Sequence, residues 1–231
     1  MTLLAKTHGS FGLAVAAALM VAMPAAAEDW TDNYYVGLRA IGSIAELGDT
    51  STTGFTGPTL VENDSDEVAG VAGLIGYTWK NIPLRTEIEA AYRFRFDWDV
   101  RDQAPGGTVD YEMNIATTSV LFNAMLEWRN SSDFTPFVGG SVGWARNSTD
   151  TTRTVLASQV KADYDEDKDN LAYGGIAGLD WAFADSWSAE FAYRYIELGD
   201  AETGAAPTTG ETISNDGYES HDVLLSVIYK F

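Results

Sequence analysis

Between Leu84 and Asp99 the side chains alternate without a break. Leu84, Thr86, Ile88, Ala90, Tyr92, Phe94, Phe96 and Trp98 take one set of positions, and Arg85, Glu87, Glu89, Ala91, Arg93, Arg95, Asp97 and Asp99 take the other. A helix would scatter these charges around its circumference, whereas a strand puts them on one face and the bulky apolar groups on the opposite one. The segment therefore reads as a long β-strand whose two faces meet unlike environments.

Similar alternation predicts eight strands, at 33 to 43, 67 to 79, 84 to 99, 111 to 128, 134 to 146, 170 to 183, 187 to 198 and 219 to 231. The gaps between them are long and short in strict turn: 44 to 66, 80 to 83, 100 to 110, 129 to 133, 147 to 169, 184 to 186 and 199 to 218. In a water-soluble domain three structureless connections of about 20 residues or more would argue against the assignment. A barrel in an outer membrane has tight periplasmic turns at one end and long external loops at the other. Within lipid a sheet must close on itself to pair every backbone group, and eight strands make a barrel whose interior is just filled by side chains. The expected fold is an all-β, eight-stranded antiparallel transmembrane barrel with short periplasmic turns and long external loops.

On this reading the aromatic and aliphatic set faces lipid. Arg39, Glu89, Arg93, Asn123, Glu127, Asp180, Glu190 and Arg194 face the lumen as paired charges. Tyr34, Trp79, Trp98, Trp128, Trp144, Trp181, Trp187, Tyr195 and Tyr229 fall near strand ends, where amphipathic rings anchor at headgroup level.

The first 27 residues hold no acid and one base, Lys6, with an apolar run from Phe11 to Met23 and small residues Ala25 and Ala27. That is the pattern of a cleaved signal peptide over 1–27, leaving 28–231 as one barrel domain. The run is too short to cross a bilayer as a helix. With no cysteine the exported chain has no disulfide, thiolate nucleophile or lipid-attachment cysteine. A net charge of -20 excludes electrostatic binding of nucleic acid.

Acids outnumber bases in every long gap, which reads as a solvated acidic surface. The alternative is a divalent-cation site bridging the loops to lipopolysaccharide, with Asp64 and Asp66 in one loop and Asp163, Asp165, Asp167 and Asp169 in another. The second run matches positions 1, 3, 5 and 7 of an EF-hand. It has Lys168 where the loop needs glycine, however, and Gly174 in place of the final Glu. After the leader the one histidine is His221, flanked by Ser220 and Asp222, which a strand would place on the opposite face. Asn147-Ser148-Thr149 matches a glycosylation triplet but reads as loop sequence. No catalytic, cofactor-binding or metal residue is expected, and no cofactor.

Five segments carry a family likeness: YYVGLRAIGS from Tyr34, GLIGYTW from Gly73, FTPFVGGSVGWAR from Phe134, AYGGIAGLDWAFADSWSAEFAYRYIELG from Ala172 and VLLSVIYKF from Val223. The chain resembles the small outer-membrane β-barrel family that includes opacity-type surface antigens and outer-membrane protein A-like barrel domains. Terminal Phe231, with Tyr229 two positions before it, is similar to the signal read by the barrel assembly machinery. The resemblance implies the outer membrane of a Gram-negative bacterium, with membrane lipid and lipopolysaccharide as surroundings. The expected role is structural or surface-interacting, in envelope integrity or adhesion through the external loops, and non-enzymatic. A narrow porin is the alternative, and a lipid A-modifying enzyme centred on His221 a third reading. A continuous water path past Arg39, Arg93, Glu127 and Arg194 would favour transport, and closed layers of ion pairs the structural role.

Overall fold

A computed structural model describes residues 33–231 apart from positions 63, 105 and 106, so the leader expected at 1–27 lies outside the described residues. In chain order the strands are β1 (Tyr34–Thr53), β2 (Thr59–Glu62), β3 (Ser65–Trp79), β4 (Leu84–Ala104), β5 (Gly107–Glu127), β6 (Phe134–Val155), β7 (Val160–Ala184), β8 (Trp187–Glu197), β9 (Ala201–Glu202) and β10 (Thr212–Lys230). Eight of them form one antiparallel ring, β1-β3-β4-β5-β6-β7-β8-β10, and β10 returns to pair β1 from Tyr35 opposite Lys230 to Thr53 opposite Thr212. The short β2 and β9 add to β4 and β10. At membrane level closure leaves no free edge along the ring, the condition for a sheet to lie in hydrocarbon. The end carrying the tight turns 80–83, 128–133 and 185–186 is the periplasmic end.

Two bands of exposed rings mark the lipid zone. Trp79, Trp128, Trp181 and Trp187 ring the periplasmic end, and Tyr92, Phe94, Trp144, Tyr173 and Tyr193 the external one. Between them the outward positions are apolar, chiefly aliphatic as with Leu38, Val71, Ile88, Val142 and Leu225, together with Phe122 and Phe191.

The strands run far beyond their expected ends. Residues 44 to 53, 147 to 152 and 163 to 169, expected in loops, continue β1, β6 and β7; the stretch 153 to 162, whose mix of β-branched and polar residues allows a strand extension above the membrane, forms their upper ends, and the β6–β7 connection shrinks to 156–159. β6 and β7 reach 22 and 25 residues, about twice what a tilted strand needs to cross a bilayer. The barrel therefore rises well above the membrane. In these extensions outward Ser148, Asp150 and Thr152 alternate with inward Asn147, Thr149 and Thr151, so both faces are polar and no apolar period announces a strand.

A second correction concerns β4. Its register against β5 shifts between Arg93 and Phe96. Arg85, Glu87, Glu89 and Arg93 face inward as expected, but beyond the bulge Phe96, Trp98 and Val100 do so, and Arg95, Asp97 and Asp99 face out. Inside the bilayer the apolar face must meet lipid; above it the outside is water, and the apolar face must turn inward. A bulge of this kind reverses the faces without ending the strand. Trp98, expected as a headgroup anchor, is instead 0% exposed at the centre of an apolar cluster.

Candidate functional site

The membrane-level lumen is filled by a charge network. Four arginines, Arg39, Arg85, Arg93 and Arg194, are buried with four carboxylates, Glu87, Glu89, Glu190 and Asp222. Arg39 donates to Glu87 at 3.1 Å, to Glu190 at 2.7 Å and also to Glu89. Arg194 bridges Glu89 at 2.9 Å and Asp222 at 2.8 Å. Arg85 reaches Glu190 at 2.5 Å and lies over the Phe137 ring. With charges equal in number and hydrogen-bonded, the desolvation each suffers is offset by its neighbours. Asn123 donates to Glu87 at 2.9 Å, and Asp180 and Glu127 close the network at the periplasmic end, where Lys230 meets Asp180 at 2.9 Å and Arg129 meets Glu127 at 2.9 Å. All eight residues expected in the lumen thus line it.

Sequence reasoning missed Asp222 as the hub of the upper layer. It accepts from Arg93, Arg194, Ser43 and Ser220, the last two at 2.6 and 2.7 Å. The signal is in the sequence: Val223, Leu225 and Val227 alternate as a lipid-facing set, and the same period puts Asp222 inside with Leu224 and Ser226.

Above this network the interior turns apolar. Phe96, Trp98, Met113, Ile115, Leu121 and Tyr218 pack into one cluster with Leu198 and Ala201 from the last extracellular connection and Ile213 at the start of β10. Asn147 holds that connection by donating to the carbonyls of Leu198 at 3.2 Å and Asp200 at 2.9 Å. Asn147 is buried, so the glycosylation triplet presents no acceptor on the folded surface. Near the top Glu211 accepts from Tyr111 at 2.5 Å, Arg153 at 2.9 Å and Thr209 at 2.8 Å. Burial pushes the Glu211 carboxyl up, but these donors outweigh it and hold it below its ordinary value. Burial and the bond to Glu211 push the Tyr111 hydroxyl well up.

The acids expected in loops mostly stand on the outer wall of the extended strands. Asp163, Asp165, Asp167 and Asp169 alternate along one face of β7, about 7 Å apart from each to the next, so they cannot converge on one ion as an EF-hand loop does. Asp169 instead holds Arg146 at 2.7 Å, and Asp163 accepts from Thr152 at 3.0 Å. Asp66 accepts from the Asp97 amide at 3.3 Å.

His221 faces outward at the external girdle, its Nδ1 2.6 Å from the Tyr193 hydroxyl and its ring 5.2 Å from that of Tyr195. Ser220 and Asp222 lie on the interior face, as expected.

The family model for the outer membrane protein beta-barrel domain matches residues 12–231. The chain belongs to that family. It is a β-barrel protein of the Gram-negative outer membrane, surrounded by that membrane's lipid. Among the members' relatives, the outer membrane protein PagN of Salmonella typhimurium is 23% identical over 92% of this chain and 95% of its own. Solved structures of similar shape include OprG of Pseudomonas aeruginosa, 16% identical with a TM-score of 0.49 over 87% of this chain and 97% of that one. Ail, the attachment invasion locus protein of Yersinia pestis, is 12% identical with a TM-score of 0.44 over 87% and 99%.

Proposed function

We propose that the barrel is a non-enzymatic surface-interaction protein, whose membrane-spanning half anchors a rigid external half that presents a contact surface. The observation that carries this is the doubly closed interior. Layers of ion pairs fill the lumen at membrane level, and the apolar cluster of Phe96, Trp98, Met113 and Tyr218 fills it above. A narrow porin would need a wetted route past Arg39 and Arg194, whose side chains are fully enclosed by their partners. A lipid-modifying enzyme would need a serine and a carboxylate beside His221, and the pair next to it in sequence lies on the other face of the wall.

Cells displaying the protein are expected to adhere to a host-cell monolayer or to neighbouring cells more than cells with an empty vector, and the purified barrel is expected to give no steady conductance in planar bilayers. Adherence equal to the empty vector would sink the reading, and reproducible openings would replace it with transport.

Three further elements belong to the same proposal. Cleavage after Ala27 releases a mature chain beginning at Glu28, which mass determination of the membrane-extracted protein checks. The last strand, ending at Phe231, is read by the barrel assembly machinery, and Phe231→Ala is expected to lower the amount of folded, heat-modifiable protein in the membrane. External lipopolysaccharide surrounds the upper girdle, and its removal from the preparation would be seen as a change in thermal midpoint.

A further inference from the structure

Each extracellular connection of the barrel includes an uncharged stretch. Residues 52–61, 103–109, 154–160 and 203–210 contain no Asp, Glu, Lys or Arg, in a chain of which 21% is charged. These tips are also joined to one another. The Gln103 amide donates to the Pro58 carbonyl at 3.0 Å and the Leu156 amide to the Thr108 carbonyl at 3.0 Å. Gly54 packs against Glu211, which in turn holds Arg153. The result is one joined crown with an uncharged upper edge rather than four independent loops; Leu156 and Val160 are exposed on that edge, and Leu60 and Val61 are exposed just below it, opposite Arg101 and Val100 of β4.

Directly beneath, the outer wall is acidic. One cross-strand row of outward positions reads Asp97, Asn114, Asp150, Asp165, and the next reads Asp99, Glu112, Thr152, Asp163. Arg95 pairs with Asp150, Arg101 with Asp110 and Arg146 with Asp169, but acids still outnumber bases over the collar as a whole. Asp163 follows Val160 by three residues, about 10 Å along the strand and within roughly one Debye length at physiological salt.

We propose that the crown docks a protein whose contact face is apolar at its centre and basic around it. This rests on the surface-interaction reading above and adds the class of partner. An apolar centre inside a polar rim is the usual anatomy of a protein interface, and opposite rim charges supply the steering. The collar repels a polyanionic glycan or an anionic membrane, and a second copy of this chain would set two acidic collars face to face.

Cytochrome c serves as the probe, because its lysines surround an apolar haem edge; the mature protein is held in nanodiscs of zwitterionic lipid. Saturable binding is expected. Leu156→Ser with Val160→Ser is expected to weaken it about tenfold with its salt dependence kept, and Asp163→Asn with Asp165→Asn to weaken it and flatten the salt dependence. Succinylated cytochrome c, with its rim made acidic, is expected not to bind. Absence of saturable binding, polylysine binding as tightly, an unaffected crown variant or equal binding of the succinylated form would each overturn the proposal. So would binding of the crown to phosphatidylcholine vesicles in place of the probe. Cell adherence in the same strains separates the two levels: adherence without cytochrome c binding removes this partner class alone, and loss of adherence by the wild type removes the surface-interaction reading.

Discussion

Arg93 and Phe96 lie three residues apart in β4, yet both point into the barrel because the strand bulges between them. That single irregularity marks where the surroundings of the wall change from lipid to water. Below it the charges are inside, and above it they are outside. The reversal gives the tryptophans distinct surroundings that fluorescence can read. In variants retaining one tryptophan, Trp98 is expected to escape quenching by lipids brominated on their acyl chains, while Trp128 or Trp187, exposed on the lipid side, are quenched. Quenching of Trp98 equal to that of Trp187 would place β4 in the wrong register.

Within the lumen the arginines are not equivalent. Arg39 touches three carboxylates, and Arg39→Met would take the ion pair from Glu87 and leave Glu89 and Glu190 with one arginine each, Arg194 and Arg85, costing about 3–5 kcal/mol. Arg93 contacts only Asp222, which keeps Arg194, and its Nε and NH1 have no partner among the described residues. Arg93→Met is therefore expected to cost clearly less. Denaturant unfolding in detergent micelles compares the two, and equal losses would contradict the network drawn here.

The Glu211 clasp sets a pH dependence for the external half. Its carboxyl is held below the ordinary value of about 4.3, so the charged form stabilises the fold. That contribution is complete above the ordinary value and is lost as pH falls through the lowered one. Glu211→Ala is expected to reduce the thermal midpoint at pH 7 and pH 5 alike, with the difference from wild type closing only below about pH 4. A difference already gone at pH 5 would show that the carboxyl is not held down.

Calcium has no converging ligand set on β7. The thermal midpoint is expected to be the same with calcium and with chelator, and Asp169→Asn, which loses only an exposed ion pair with Arg146, is expected to leave the midpoint essentially unchanged. A rise in midpoint with calcium that Asp165→Asn abolishes would restore the cation site.

The membrane-spanning half was legible in the sequence because lipid outside and paired charge inside give opposite polarity to alternate residues. Arg39, Glu89, Glu190 and Arg194 could be placed in the lumen, and Val223 to Phe231 oriented, from that period alone. The external half obeys a weaker rule. Its outward face is polar and its inward face mixes Thr149 and Thr151 with Phe96 and Ile115, so the contrast between faces fades and strands read as loops. Across the bulge at Arg93–Phe96 the pattern is unbroken in sequence while its meaning reverses. Only the pairing of β4 with β5 reveals that, since nothing in the residue types themselves signals an extra position. The tips gave no hydrophobic signal either, and the acidity counted against whole gaps belongs to the walls beside them.

Because each ring strand is hydrogen-bonded through its membrane-spanning part to neighbours on both sides, the integrity of the barrel does not depend on an unbroken chain. A cut in the 156–159 connection would divide it into a piece with β1, β3, β4, β5 and β6 and a piece with β7, β8 and β10. These remain zipped along two seams, β6 to β7 and β1 to β10. A protease at the cell surface could nick this hairpin without dislodging either fragment. The same division offers a way to produce the protein as two complementing segments.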